Sequence, residues 1–208
     1  AWVAKDPKRS RIKYFAPNGR VVERLKLYGV RPGNIELTGF PLPHEAIGGA
    51  KSETAIKNLG RRICNLDPNG FFMSRAQGTL KAKLGLKTCK LIAGKRPKPI
   101  HIAFAIGGAG AQRELGITIA KSLQNEIKRG KIRLTLIAGT RPEVSRYFNE
   151  ELKKLGLASA LKKEESIDIL YKTNRQEYFD AFTALMNRID ILWTKPSELS
   201  FYTGIGIP

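Results

Sequence analysis

The amino-acid sequence predicts an α/β protein built on a Rossmann-like parallel sheet with helices on both faces. From residue 99 onward, short apolar runs rich in β-branched residues alternate with amphipathic stretches, and the connections between them are short. This alternation is typical of a parallel sheet whose strands are joined by helices. The 208 residues, 42% of them hydrophobic and 26% charged, have the composition of a globular chain.

Four strands and three helices are predicted in residues 99–208. The strands are expected at residues 100–106, 132–138, 167–171 and 189–193. The helices between them are indicated by apolar side chains spaced mostly four residues apart. These side chains are Leu115, Ile119, Leu123 and Ile127, then Val144, Phe148, Leu152 and Leu155, then Tyr178, Phe182 and Leu185.

Residues 1–43 are interpreted as the end of a preceding domain and a connector. We expect a strand at residues 1–4, a helix capped by Asn18 and closed by Gly29, and a strand at residues 35–38. The connector 39–43 is stiff because two prolines flank one residue. The chain starts without Met and stops where an apolar run would begin, so both ends are expected to be cuts, with residues 99–208 truncated at the C-terminus.

Residues 44–98 are predicted to form a basic helical insertion. Ser52 is expected to cap a helix bearing Ile56, Leu59 and Ile63, and a second helix is expected near residues 74–84. The net charge is +19, from 37 Lys and Arg against 18 Asp and Glu. The basic side chains concentrate at Lys81, Lys83, Lys87, Lys90, Lys95, Arg96 and Lys98.

This basic stretch implies an anionic partner, with a solvated, solubilising face as the alternative, which is favoured for any single lysine. An acidic membrane surface and nucleic acid are both open, although the stretch lacks interleaved aromatic residues for base stacking, which disfavours nucleic acid. No apolar run approaches the roughly 18 residues that span a bilayer, and the first residues lack the order of a signal peptide, so a cytoplasmic location is expected. The two cysteines, Cys64 and Cys89, support neither a disulfide framework nor a metal site.

Three loops after the predicted strands form the candidate site, since ligands of parallel sheets bind beyond the carboxyl ends of the strands. The first loop, 107–111, is rich in glycine and precedes a helix, which suits a phosphate, although it fits neither the dinucleotide nor the P-loop motif. A small-residue turn for strand–helix packing is the alternative. The middle loop offers Arg141, and the last loop offers Thr194, Lys195 and Ser197.

The two histidines carry weaker expectations. His101 lies within the first strand of the sheet and is expected to be a core or edge residue with a hydrogen-bond partner. His44 is expected on the surface, with a position in an interdomain cleft as the alternative, and is a weak catalytic candidate. No Asp, His and Ser constellation for nucleophilic catalysis can be assembled.

The loops resemble those of a known enzyme family. Residues 106–115 (IGGAGAQREL) resemble the GGSQGA-R-x-L segment of bacterial lipid II-forming N-acetylglucosaminyltransferases. Residues 194–208 look like the donor-binding helix of those enzymes and of plant monogalactosyldiacylglycerol synthases, and residues 34–43 are similar to their TG-x-P crossover between domains. The order of the three segments is that of the family, and residues 44–98 have no counterpart.

The resemblance implies the carboxy-terminal half of a GT-B glycosyltransferase, which holds a UDP-sugar donor without a bound metal or cofactor and transfers with inversion. It implies a hexosyltransferase acting on a membrane-associated acceptor, peripheral on the inner membrane face. The catalytic residues would lie in the amino-terminal domain, so this fragment alone would be inactive. The alternative is an inactive basic adaptor of the same fold that binds nucleic acid or acidic membrane. The donor-site residues implied are Gly107, Gly108, Ala109, Gly110, Arg113, Arg141, Thr194, Lys195, Ser197 and Glu198.

Two positions depart from the family pattern. The last glycine of the loop falls on Ala111, and the ribose-binding Glu falls on Phe201, with Glu198 three residues earlier.

Overall fold

The computed structural model describes residues 2–93, 98–106, 112–163, 166–194 and 199–208, with the backbone alone at 91–93, 161–163 and 199–200. The chain divides into two compact units, residues 1–43 and 44–208. Each unit has its own buried apolar cluster.

The first unit is a βαβ motif. Strands β1 (Tyr14–Ala16) and β2 (Ile35–Leu37) pair in parallel, joined by helix α1 (Gly19–Leu27) and a 3-10 turn (Pro32–Asn34). Asn18 caps α1 as predicted, because its side-chain oxygen accepts from the Val21 amide at 3.0 Å. Ala16, Leu25 and Val30 form the buried centre of the unit.

The strand expected at residues 1–4 is wrong. Residues 2–4 lie in no strand, and Trp2 is 99% exposed. The strand that pairs with β2 is β1, whose Ala16 is buried against α1. Residues 2–4 instead lie near β1 through one hydrogen bond, from the Ala4 amide to the Tyr14 hydroxyl at 2.9 Å.

In the described residues of the second unit, five helices precede the main sheet. They are α2 (His44–Ile47), α3 (Glu53–Leu66), α4 (Phe71–Arg75), α5 (Gln77–Leu84) and α6 (Leu86–Ala93). Ser52 precedes α3 but adopts a left-handed conformation (φ 52°) and makes no side-chain cap, so that expectation is wrong. The single helix expected near residues 74–84 is two, α4 and α5, which meet at Ala76.

The remaining residues form the predicted parallel sheet with its connecting helices, and the α/β class is confirmed. The elements are β3 (Ile100–Ala105), α7 (Arg113–Ser122), α8 (Gln124–Lys128), β4 (Ile132–Gly139), α9 (Pro142–Lys154), α10 (Ala158–Lys163), β5 (Ile167–Tyr171), α11 (Arg175–Met186), β6 (Ile191–Trp193) and α12 (Leu199–Gly204). The helix expected through Leu123 and Ile127 is interrupted at Leu123, where α7 ends and α8 begins. Among the described residues, no helix combines the length and apolarity that a bilayer crossing requires.

The strand order is β5-β4-β3-β6, with every pair parallel. Strands β3, β4 and β5 therefore follow one another across the sheet, while β6 returns to the far side of β3. Right-handed crossovers place α7 to α10 on one face and α11 on the other. The order of the strands thus reverses between β3 and β6.

The two faces of the sheet differ in polarity. Because side chains alternate along a strand, Phe104, Leu136 and Ile167 share one face, where they join the main apolar core with α7, α8 and α9. The opposite face carries a row of hydrogen-bonding groups near the start of the strands. In this row, His101 Nε2 lies 2.8 Å from Thr135 Oγ1, and that hydroxyl lies 3.4 Å from Asp168 Oδ2.

Helix α7 packs closely on the apolar face through Gly116. A Cβ atom at this glycine would lie 3.0 Å from the Phe104 ring and 3.2 Å from the Phe148 ring. Both phenylalanines are buried, so neither can readily retreat. Gly116 is therefore the glycine that lets α7 approach β3.

Candidate functional site at the carboxyl edge of the sheet

The reversal of strand order lies at the point where the sequence predicts the ligand site. Phe104 of β3 is paired with Trp193 of β6, so Ile106 and Thr194 follow neighbouring strands at the same edge. In open α/β sheets the crevice beyond such a pair of strand ends is the usual ligand site. The predicted residues Gly107, Gly108, Ala109, Gly110, Lys195, Ser197 and Glu198 lie outside the described residues.

Helix α7 begins at this edge with Arg113. The backbone of the preceding residue, Gln112, is left-handed (φ 68°), a conformation that residues other than glycine rarely adopt. The Arg113 guanidinium lies 4.5 Å from the centre of the Tyr147 ring on α9, and its Nε lies 3.4 Å from Glu114 Oε1. Burial, and then Glu114, raise the pKa of the Tyr147 hydroxyl. The ring therefore stays neutral and fixes Arg113 at the start of α7.

Arg141 lies at the same edge, one strand further along. It follows the end of β4, where Gly139 is left-handed (φ 69°) and accepts from the Lys172 amide at 3.1 Å. Its Nη1 lies 3.6 Å from Glu143 Oε1 in the first turn of α9. Thus Arg113 and Arg141 bring two guanidinium groups to the ends of adjacent strands.

The other predicted positions are more scattered. Thr194 follows β6 and is half-buried. His44 is the exposed first residue of α2, which agrees with the surface expectation. Phe201, where the resembling family has Glu, lies in α12, with its ring centre 5.0 Å from that of Tyr202.

The opposite, amino edge of the sheet holds β6 in place through a buried carboxylate. Asp190 is fully buried and accepts from Arg61, from Asn65 Nδ2 at 3.0 Å and from the His101 amide at 3.0 Å. Its own amide donates to the His101 carbonyl at 2.8 Å. Helix α3 thereby joins β6 to β3 before either strand reaches the carboxyl edge.

Arg62 extends this attachment to the end of the described chain. Its guanidinium donates four hydrogen bonds of 2.7–3.1 Å to backbone carbonyls. The acceptors lie at the end of α11 and after α12: Met186, Ile189, Ile205 and Gly206. Burial, and then Arg61, lower the pKa of Arg62 to about 10, so the group stays charged at neutral pH.

Sequence reasoning missed this network. One indication was available, because Arg62 lies three residues after Leu59, next to the apolar stripe of α3 that the periodicity predicts. A long basic side chain beside such a stripe either extends to solvent or, if it is buried, needs hydrogen-bond partners. Asp190 gave no comparable indication, since its burial depends on the return of β6 across the sheet.

His101 behaves as predicted from its place in the strand. It is 7% exposed, and its ring is hydrogen-bonded to Thr135. Burial, followed by the charges of Arg133, Arg188 and Arg61, lowers its pKa to about 3. The ring is therefore neutral throughout the physiological range and supports the sheet.

Residues 89–205, more than half of the chain, match the family of the domain of unknown function DUF6938. The chain belongs to this family. The matching region begins in α6 and contains the whole four-stranded sheet, but not α3. No curated protein and no solved structure matches the chain.

Proposed function

We propose that this chain is the donor-side half of a GT-B glycosyltransferase, a hexosyltransferase that binds a UDP-sugar at the carboxyl edge between β3 and β6. The observation that supports this most directly is the reversal of strand order between those two strands. The two segments selected from the sequence as diphosphate-binding, 107–111 and 195–198, each follow one of them. Both segments thus continue from the two strands that flank the reversal, which is where open α/β sheets bind their ligands, and this supports the proposal.

The proposed chemistry needs anion recognition from this half of the enzyme. Backbone amides of the Gly-rich loop and of the last helix would hold the diphosphate. Arg113, Arg141 and Lys195 would stabilise the charge that develops on UDP as it leaves, which is why no bound metal is invoked. Transfer with inversion, and the catalytic residues for it, are assigned to an amino-terminal, acceptor-side domain.

The first unit is consistent with that assignment. A parallel two-stranded pair with one helix is small for an independent domain, and Phe15 and Leu37 on its strands are 66% and 65% exposed. In the proposal, this βαβ unit is the end of the acceptor-side domain. The protein would act in the cytoplasm, at the inner face of the membrane that carries its acceptor.

Calorimetric titration with UDP tests the donor site. We expect UDP to bind the chain more tightly than sulfate does, and Lys195→Ala to weaken UDP binding about tenfold by removing a charge-assisted contact. Lys131→Ala is the matched control, because it removes the same charge from an exposed residue just before β4, at the opposite edge. UDP binding no tighter than sulfate, or equal losses in the two variants, would contradict the proposal.

Gly108→Val tests the loop separately. If the loop holds a diphosphate, we expect the variant to lose UDP binding, and the full-length enzyme to lose transfer, with the thermal midpoint nearly unchanged. If the loop serves strand–helix packing, the same change lowers the midpoint first. UDP affinity and melting measured on one preparation separate the two outcomes.

The basic adaptor is a second candidate function, favoured by the exposed lysines of α5 and α6. Lys81, Lys83, Lys87 and Lys90 are all exposed. Binding to vesicles containing acidic lipid should fall steeply with salt, because exposed charges are screened within about 8 Å at physiological ionic strength. Such binding combined with a UDP response supports a membrane-associated transferase. Salt-sensitive binding to vesicles or to DNA without any UDP response supports the adaptor.

A further inference from the structure

A large open cavity lies at the amino edge of the sheet, opposite the proposed donor site. Its volume is about 1160 Å³, enough for a small organic molecule. Helix α3 forms one side, and the starts of β3 and β4, with the residues before β6, form the other. The apolar part of the lining includes Ile56, Leu84 and Pro99.

The charged part of the lining is strongly cationic. Five basic side chains and two carboxylates line the cavity, and one of these carboxylates, Asp190, is already paired with Arg61. The basic residues are Lys57, Arg61, Lys98, Arg133 and Arg188. Burial, and then Arg133, Arg188 and Arg61, lower the pKa of His101, which lines the same cavity. Their charges therefore converge on one part of the cavity.

Hydrogen-bond donors also exceed acceptors in this cluster. Within the described part of the chain, Arg61 Nε and Arg133 Nε are buried without an acceptor. Arg133 has only a distant ion pair, its Nη2 lying 4.0 Å from Asp168 Oδ2. Arg188 and Lys57 are exposed and form no ion pair among those found in the described residues. An anion in the cavity would accept from the exposed Arg188 and Lys57 and from the accessible end of the Arg133 guanidinium.

We infer that this cavity is a second ligand site, which binds a small organic phosphate with an apolar body. The phosphate dianion lies against Arg133, Arg188 and Lys57, where guanidinium groups offer paired donors that match its oxygens. The apolar body packs against Ile56, Leu84 and Pro99. A dianion fits better than a monoanion because the lining carries three more cations than carboxylates.

Phenyl phosphate is a suitable probe because it joins a phosphate to an apolar ring. We expect it to bind in calorimetric titration, and Arg188→Gln and Lys57→Gln each to weaken the binding about tenfold. Both residues are exposed, so the variants should fold as the parent does. Arg146→Gln, an exposed arginine on α9, is the control for the loss of one charge. Benzyl alcohol, which lacks the phosphate, should bind far more weakly.

Lys195→Ala separates this site from the proposed donor site. Phenyl phosphate binding that depends on Arg188 and Lys57 but not on Lys195 supports the cavity, whether or not UDP binds. Binding that depends on Lys195 alone overturns the inference and leaves the donor site intact. The inference is also overturned if Arg188→Gln and Arg146→Gln behave alike, or if benzyl alcohol binds as tightly as phenyl phosphate.

Discussion

The two edges of the main sheet are built differently. At the amino edge, side chains from α3 donate to a buried carboxylate and to backbone carbonyls, and join β6 to β3. At the carboxyl edge, the described basic residues contact neighbours on α7 and α9: Arg113 contacts the Tyr147 ring and Glu114, and Arg141 contacts Glu143. Among the contacts of the described residues, the buried polar network that joins β6 to β3 therefore lies at the amino edge.

This difference assigns a role to the helical segment 44–98. Helix α3 lies outside the region matched by the family, yet it supplies Arg61, Arg62 and Asn65 to the attachment of β6. β6 is the strand that precedes the proposed donor segment 195–198 in the sequence, and α3 holds that strand. The segment 44–98, interpreted from the sequence as an insertion, therefore supplies side chains that hold a strand of the sheet.

The largest loss of unfolding free energy is expected for a substitution at the centre of the amino edge. Arg62→Met removes the donors of four hydrogen bonds and leaves buried carbonyls unpaired, so we expect a loss of at least about 3 kcal/mol of unfolding free energy. Arg146→Met, the same change at an exposed position on α9, should cost little. Urea denaturation measures both. Similar losses in the two variants would show that the network does not hold the sheet.

The pH dependence of stability tests the buried histidine. The folded-state pKa of His101 is lowered to about 3, so below pH 6.5 the unfolded chain binds a proton that the folded chain does not. Stability from this residue is therefore present above pH 6.5 and is lost as pH falls, by about 2 kcal/mol between pH 7 and pH 5. His101→Gln should flatten that slope in melting experiments. His44→Gln, at an exposed position, should retain it.

A substitution at Gly116 tests how closely α7 packs on β3. Gly116→Ala gains helix propensity but forces a Cβ against Phe104 and Phe148, so we expect a net loss of about 1 kcal/mol. Gly78→Ala in α5 is the control, because a Cβ there meets nothing within 4 Å. That variant should be stabilised by up to about 1 kcal/mol. Stabilisation of both variants would mean that α7 has room to move.

The smallest loss of unfolding free energy is expected for a substitution at the carboxyl edge. Arg113→Gln removes a partly exposed cation–π contact with Tyr147, so we expect a loss of about 0.5–1 kcal/mol of unfolding free energy. Urea denaturation of Arg113→Gln and Arg62→Met, measured side by side, compares how much each edge contributes to the unfolding free energy. A loss as large as that of Arg62→Met would show that the carboxyl edge is fixed as firmly as the amino edge.

The architecture of the sheet was largely predictable because the sequence pattern that predicts each strand or helix lies within that element. The strand 167–171 was predicted at its observed bounds, and the other three strands overlap their predictions closely. The stripe of Val144, Phe148 and Leu152 is buried on α9, as the four-residue spacing indicates. In each of these elements, the spacing of the apolar residues identifies the face that is buried.

Some errors were local, such as the uncapped Ser52 and the helix breaks at Ala76 and Leu123, but the larger ones occurred where the outcome depends on distant residues. The strand expected at residues 1–4 could be excluded only by knowing that β2 pairs with Tyr14–Ala16. The burial of Arg62 and Asp190 depends on partners more than 120 residues away along the chain. The cavity likewise needs α3 and the starts of β3 and β4 together, and no local pattern contains all three. The proposed donor segments were predicted from their position after strands and from the family resemblance, and they stay a prediction.

The long separation of Arg62 from its partners sets the order in which the chain can assemble. The carbonyls that accept from Arg62 lie 124 to 144 residues later in the sequence. At about 5–20 residues per second, the ribosome completes that stretch roughly 6 to 29 s after Arg62 is made. Collapse and loop closure take microseconds to fractions of a millisecond, so synthesis limits the step. During that interval Arg62 lacks these acceptors, so the attachment of α3 to the residues around β6 and after α12 forms only once those residues have been made.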